Sequence, residues 1–152
     1  MKILKWLAVL ILAIPLALVL GIYVRNKTVG PVGWAEDNTL KQLRLKMKDP
    51  DSMVVRTSYV VQKTDPASSD VTIAICGIVD GKNSFGGYSG GSRFMSRSVD
   101  YKSTNTFDTY EVILEDPEET RTAESVHMLS GFDKVYWNQH CVDDGHPAAK
   151  PK

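Results

Sequence analysis

Residues 6–24 form an unbroken uncharged run, Trp-Leu-Ala-Val-Leu-Ile-Leu-Ala-Ile-Pro-Leu-Ala-Leu-Val-Leu-Gly-Ile-Tyr-Val. As a helix rising about 1.5 Å per residue it reaches roughly 28 Å, close to the ~30 Å hydrocarbon core of a bilayer. Trp6 and Tyr23 close its two ends, where amphipathic rings favour the interface, and Pro15 is tolerated within such a helix. The pattern predicts a membrane anchor with its flanks over residues 1–27. A cleaved signal peptide is the competing reading, but the run is long for one and no A-x-A site comes after it.

Periodicity changes after the anchor. Residues 28–35, with Gly30, Pro31 and Gly33, read as a tether. Residues 36–48 then suit an amphipathic helix, with Asp37 or Asn38 as N-cap and Leu40, Leu43 and Met47 on one face. Lys46 and Lys48 favour its C-terminal end, and Pro50 stops it. Four strand-like runs come next, at 53–62, 71–79, 92–99 and 107–114. The second, with Ile73-Ala74-Ile75-Cys76 and then Ile78-Val79, is apolar enough to be covered on both faces and so to lie centrally. No crossover-length helix separates the runs, so the simplest sheet is an antiparallel meander.

At Asp116-Pro117-Glu118-Glu119 the helical period returns. An Asp N-cap, Pro at the first helical position and Glu three residues after the cap form a capping-box-like start. Ala123, Val126 and Leu129 are expected toward the core, with Gly131 ending the helix. Residues 132–141 suggest further helical turns, with Phe132, Val135 and Tyr136 on one face and Trp137 stacked over Cys141. Residues 142–152 are polar and contain proline, and are expected to be disordered. The expected fold class is α+β. An N-terminal transmembrane helix leads into a small domain, residues 36–141, whose antiparallel sheet of about four strands packs against an N-terminal and a C-terminal helix.

Charge narrows the partners. The whole chain is neutral, but from Thr28 onward 14 Lys and Arg face 18 Asp and Glu, a difference of −4. That balance, without a basic stripe interleaved with aromatics, argues against nucleic acid. The cysteines, Cys76 and Cys141, and the histidines, His127, His140 and His146, have no metal-ligand spacing, so neither metal nor cofactor is expected. In an oxidising compartment the two cysteines would pair. Lys2 and Lys5 balance Arg25 and Lys27 across the anchor, leaving the positive-inside rule undecided. A disulfide is at home outside the cytoplasm, which places the N-terminus inside and the domain outside.

Residues 75–94 carry six of the 11 glycines (Gly77, Gly81, Gly86, Gly87, Gly90 and Gly91) in a loop that also bears Phe85 and Tyr88. Gly87-Tyr88-Ser89-Gly90-Gly91 matches the G-x-S-x-G nucleophile elbow, with His127 or His140 as a base. That motif needs a helix behind it, however, and residues 92–96 read as a strand. A phosphate loop would need Lys and Ser or Thr where Gly87 and Tyr88 stand. Two readings stay open. Either Phe85 and Tyr88 cover the edge of the core, or Asn83, Phe85, Tyr88 and Arg93 form an exposed recognition surface.

Lys48-Asp49-Pro50-Asp51-Ser52, Cys76-Gly77-Ile78-Val79, Gly81-Lys82-Asn83-Ser84-Phe85-Gly86-Gly87-Tyr88, Phe94, Trp137 and Cys141 together carry a resemblance. The chain resembles small bacterial and phage-encoded envelope proteins with a "DP-S … CG-V … KNSFGGY-G" pattern behind an anchor or signal. The resemblance implies a shared fold, a Cys76–Cys141 disulfide and no catalytic residues. It departs at Gly91, where the pattern often has a large apolar residue. The expectation is a single-pass protein of the bacterial inner membrane, anchored by residues 6–24, with a periplasmic domain that binds a protein partner. Phage superinfection exclusion and immunity-type inhibition are the functions it implies. A small envelope hydrolase using Ser89 and a structural envelope component are the alternatives.

Overall fold

The computed structural model describes residues 2–88 and 90–151, and in the first helix the side chains of residue 11, 13–25 and 28 onward. Elements run in the order α1 (Lys2–Lys46), β1 (Val54–Thr64), β2 (Val71–Asp80), β3 (Ser92–Tyr101), β4 (Thr106–Leu114) and α2 (Pro117–Ser125). A π-helical segment (Phe132–Trp137) and a short α3 (Asn138–His140) complete it. The four strands form one antiparallel sheet in the order β1-β2-β3-β4. The chain is therefore α+β, with a meander at its centre.

β2 and β3 occupy the middle, and their burial results from that position. Ile73, Ile75, Val79 and Phe94 pack with Val112 against Ala35 and Leu43 of α1. Side chains alternate across a strand, so Ala74, Cys76 and Met95 face the other way, where Phe132 and Cys141 cover them with Val61. The result is three layers, with α1 on one face of the sheet and the C-terminal segment on the other. Cys76 and Cys141, both buried, tie that segment to the central strand with their sulfurs 1.97 Å apart.

α1 departs from the expected tether and separate helix. It runs through residues 28–35 with one break at Gly30 (φ 66°, ψ −178°). Glycine accepts positive φ without strain, and Pro31 beyond it starts the next helical stretch, a position its fixed φ suits. Across the break the Arg25 guanidinium donates to Asp37 at 2.8 Å. Asp37 and Asn38 are thus inside a helix instead of capping one. The buried stripe falls on Ala35, Thr39 and Leu43, with Val32 and Met47 partly buried, while Leu40 stays exposed. Thr39 serves in a core stripe because its hydroxyl is satisfied, bonding Ala35 O and Ser96 Oγ, both at 2.6 Å.

Four expectations about the C-terminal half are corrected. The helix that starts at Asp116 ends at Ser125 and buries none of its residues, so Val126 is exposed. Asp116 Oδ1 accepts from Glu118 N and Glu119 N, at 2.9 and 3.4 Å. Glu119, however, reaches Gly131 N at 2.8 Å instead of closing a capping box. The π-helical turn rotates Val135 to the surface and keeps Phe132 in the core. Beyond Val142 the segment expected to be disordered folds back. The His146 ring stacks on Tyr59 with centroids 3.6 Å apart, and Asn138 exchanges two hydrogen bonds with Ala149.

Among the described residues no helix is long and apolar enough to cross a membrane. The side chains of residues 2–10, Trp6 included, lie outside the described ones, and with them the expected interfacial ring at that end of the run.

The Cys76–Cys141 link closes a span of 65 residues, for which chain entropy gives on the order of 4 kcal/mol. Cys141→Ser is expected to lower the stability of the full chain by about that amount in guanidinium unfolding. Wild-type protein should migrate faster on non-reducing than on reducing gels. Equal mobility with both thiols open to alkylation would show that the link does not form.

Candidate recognition site

The β2–β3 connection is a shaped loop. It begins at Asp80, fully buried, whose carboxylate is ion-paired with Arg56 and accepts from Gly81 N at 2.8 Å. Lys82 N then donates to Ser52 Oγ at 2.9 Å, fastening the loop to the turn after α1, and Lys82 pairs with Tyr88 as an isolated antiparallel bridge. Inside that bridge Asn83 organises the tip. Its side-chain Oδ1 accepts from Phe85 N at 2.9 Å and Gly87 N at 3.2 Å, and its backbone exchanges bonds with Gly86 and Gly87. This is the local side-chain turn for which asparagine is suited.

Glycine is required at the loop's end. Gly91 has φ 88°, and a Cβ there would stand 2.7 Å from Ile78 Cγ2. This backbone has no room for a bulky apolar residue at that position.

The tip leaves its rings in solvent. Phe85 is 96% exposed and Tyr88 49%. Neither belongs to the two buried clusters, so the reading in which they seal the core is not what the structure shows. Of the four expected recognition residues, Phe85 and Tyr88 are presented outward, while Asn83 is the scaffold beneath them.

Arg93 faces inward. Its Nε and Nη2 donate to the two oxygens of Glu115 at 2.8 and 2.7 Å, and Nη1 donates to Asp133 at 2.7 Å. The guanidinium lies 5.3 Å from the centre of the Phe132 ring and 5.1 Å from that of Trp137. Hydrogen bonding to Glu115 raises the Arg93 pKa further against the opposing effect of burial, and Asp133 adds to it. Burial pushes the Glu115 carboxyl up, but hydrogen bonds from Arg93 and Thr120 outweigh it and leave the group below its ordinary range. Arg93 is thus an internal tie between β3, the start of α2 and the C-terminal segment.

Asp133 was not legible as its partner, since it is at no helical or cross-strand spacing from Arg93, whereas Glu115 continues the antiparallel register that pairs Phe94 with Leu114, and its N donates to Arg93 O at 2.8 Å. The one hint in the sequence was an arginine at the start of a strand with its partner strand ending in an acid. On the outer layer, burial and the Asp143 charge push the Tyr59 hydroxyl up to about 12, and it donates to Cys141 O at 2.8 Å.

The hydrolase alternative names Ser89, which lies outside the described residues. The loop leads directly into the strand β3, where a nucleophile elbow requires a helix. Among the described residues no group of three or more His, Cys, Asp or Glu could hold a metal ion. In comparisons with known proteins, no family model, curated protein or solved structure matches the chain.

The Glu115 geometry sets an acid response. A carboxyl whose folded pKa is depressed contributes stability above its unfolded value, near 4.3. That contribution is lost as pH falls through the folded value. Glu115→Gln is expected to be less stable than wild type at pH 7 and to lose less on acidification from about pH 5 downward. Unfolding midpoints measured across that window check this, and parallel slopes for the two proteins would contradict it.

Proposed function

We propose that the chain is a single-pass protein of the bacterial inner membrane, anchored through residues 6–24 with its N-terminus in the cytoplasm. Its α+β domain stands in the periplasm and works by binding a protein partner through the Phe85–Tyr88 loop, without catalysis. The observation that carries this reading is a phenyl ring 96% exposed at the tip of a loop built by Asn83. Isolated exposed apolar residues are common on surfaces. A large ring raised on a hydrogen-bonded turn, beside a half-exposed tyrosine, is instead the form that aromatic interface anchors take.

Support for the anchor comes from the helix itself. From Ile11 to Val24 the described large apolar side chains stand half or more exposed on every side. A helix that is apolar all round needs an apolar surrounding, and residues 6–10 extend the same uncharged run in the sequence. The resemblance to small bacterial and phage-encoded envelope proteins supplies the process, exclusion of an infecting phage or inhibition of an immunity type.

An alkaline phosphatase fused after residue 152 is expected to be active, and a reporter that works only in the cytoplasm inactive; the reverse pair would remove the proposed topology. Expression of the chain is expected to lower the plating efficiency of at least one phage in a broad panel. Phe85→Ala should restore plating by tenfold or more at equal abundance in the membrane fraction. Unchanged plating across the panel would remove phage exclusion.

A further inference from the structure

The recognition loop has a place relative to the anchor. Trp34, just past the break in α1, packs edge-on against Phe107 at the β3–β4 hairpin end of the sheet, ring centres 5.6 Å apart. Met47, one residue past the far end of the same helix, lies at the opposite end of the sheet: a Cβ on Gly81 would come 3.2 Å from its sulfur. Between Trp34 and Met47 the helix advances about 20 Å at roughly 1.5 Å per residue. The loop bearing Phe85 therefore sits at the end of the domain remote from where the anchoring helix enters, whatever angle the helix takes at Gly30.

Beside that loop is a hollow of about 250 Å³ lined by Lys46, Lys48 and Lys82, with Met47 and Leu114 among its apolar walls. No carboxylate lines it. The ion pairs found among the described residues involve none of the three lysines. The larger groove between α1 and β4, about 570 Å³, differs in this respect: Asp108 and Glu111 line it together with Lys41 and with Lys46, which is common to both. The domain from Thr28 onward carries an excess of acid. Among the described residues the lining of the smaller hollow holds three lysines and no acid, and Lys82 and Asn83 of the loop that exposes Phe85 are part of it.

Resting on the binding reading above, we infer that the partner is a protein surface with an acidic side chain beside an apolar pocket, met on the side of the domain away from the anchoring bilayer. Phe85 enters the pocket, and the carboxylate enters the hollow among Lys46, Lys48 and Lys82. Complementary charge steers and registers such a contact, while the buried aromatic supplies most of its strength. The same cation-and-aromatic set could meet an anionic lipid surface. The remote position of the loop disfavours the anchoring membrane, and an asparagine-closed turn that leaves one ring, Phe85, almost fully exposed beside a half-exposed tyrosine suits a pocket.

The test uses the full chain in intact cells with a photo-crosslinking phenylalanine analogue at position 85 and, separately, at Ser103 in the turn at the anchor end. The expected result is a discrete protein adduct from position 85 and not from position 103, with the crosslinked partner peptide containing or adjoining Asp or Glu. Lys46→Glu/Lys48→Glu/Lys82→Glu should reduce its yield at least tenfold while leaving the thermal unfolding midpoint within a few degrees. Purified full-length protein should show no binding of its loop to vesicles with 30% phosphatidylglycerol, read by quenching of a fluorophore at position 85. An adduct at 85 that survives the triple reversal overturns the acidic-partner inference and leaves the binding reading standing. The same adduct from position 103 overturns the stated placement. Loop insertion into the vesicles assigns the surface to lipid and overturns both, as does the absence of any adduct at 85.

Discussion

Two central strands that bury both faces impose the main constraint on this domain. Such strands need a cover on each side, and a chain this short has few segments to give. α1 supplies one cover with a stripe of only a few residues, and at Thr39 it uses a hydroxyl where an apolar residue would be usual. The other cover is a segment without a long regular helix, formed by a π-helical turn and an irregular tail. Apolar contact over so small an area is modest, so directed bonds accompany it. The Cys76–Cys141 link, the Arg93 ties and the Tyr59 hydroxyl on Cys141 O all converge on that layer.

Arg93 shows how a polar group can be part of such a layer. A guanidinium taken partly out of water is costly unless its donors are met. Here two carboxylates from different segments meet it and two rings lie against it. Removing one acid would leave a half-satisfied cation at a point where three segments join. The network therefore fixes the relative placement of those segments more than it adds net stability.

The sheet was legible in the sequence because its signals are local. Alternating and continuous apolar runs, turn residues between them and the Asp116-Pro117 cap each act within a few positions, and the strands fall close to where those signals place them. The discrepancies depend on distant partners. Val126 matches the helical period, yet the helix has already ended, and nothing in a periodicity shows which turn will fray. The tail reads as polar and disordered because the ring that His146 stacks on, Tyr59, belongs to the first strand. Arg93 resembled a surface cation because its acids are remote in sequence. In the loop, the residue types identified Asn83, Phe85 and Tyr88 as noteworthy, but only the fold could separate the scaffold from the rings it exposes.

Asn83 has a thermodynamic consequence for any encounter. A flexible glycine-rich loop would have to be ordered on contact, and immobilising its backbone would subtract on the order of 1–2 kcal/mol per residue from the affinity. One amide side chain and two backbone bonds have already selected the tip conformation in the free domain. The phenyl ring it carries retains nearly all of its hydration, so transfer into an apolar site can release about 2 kcal/mol, a factor of roughly 30 in an equilibrium constant at 1.4 kcal/mol per tenfold. The domain thus keeps its largest unrealised burial at a point where little conformational entropy remains to be lost.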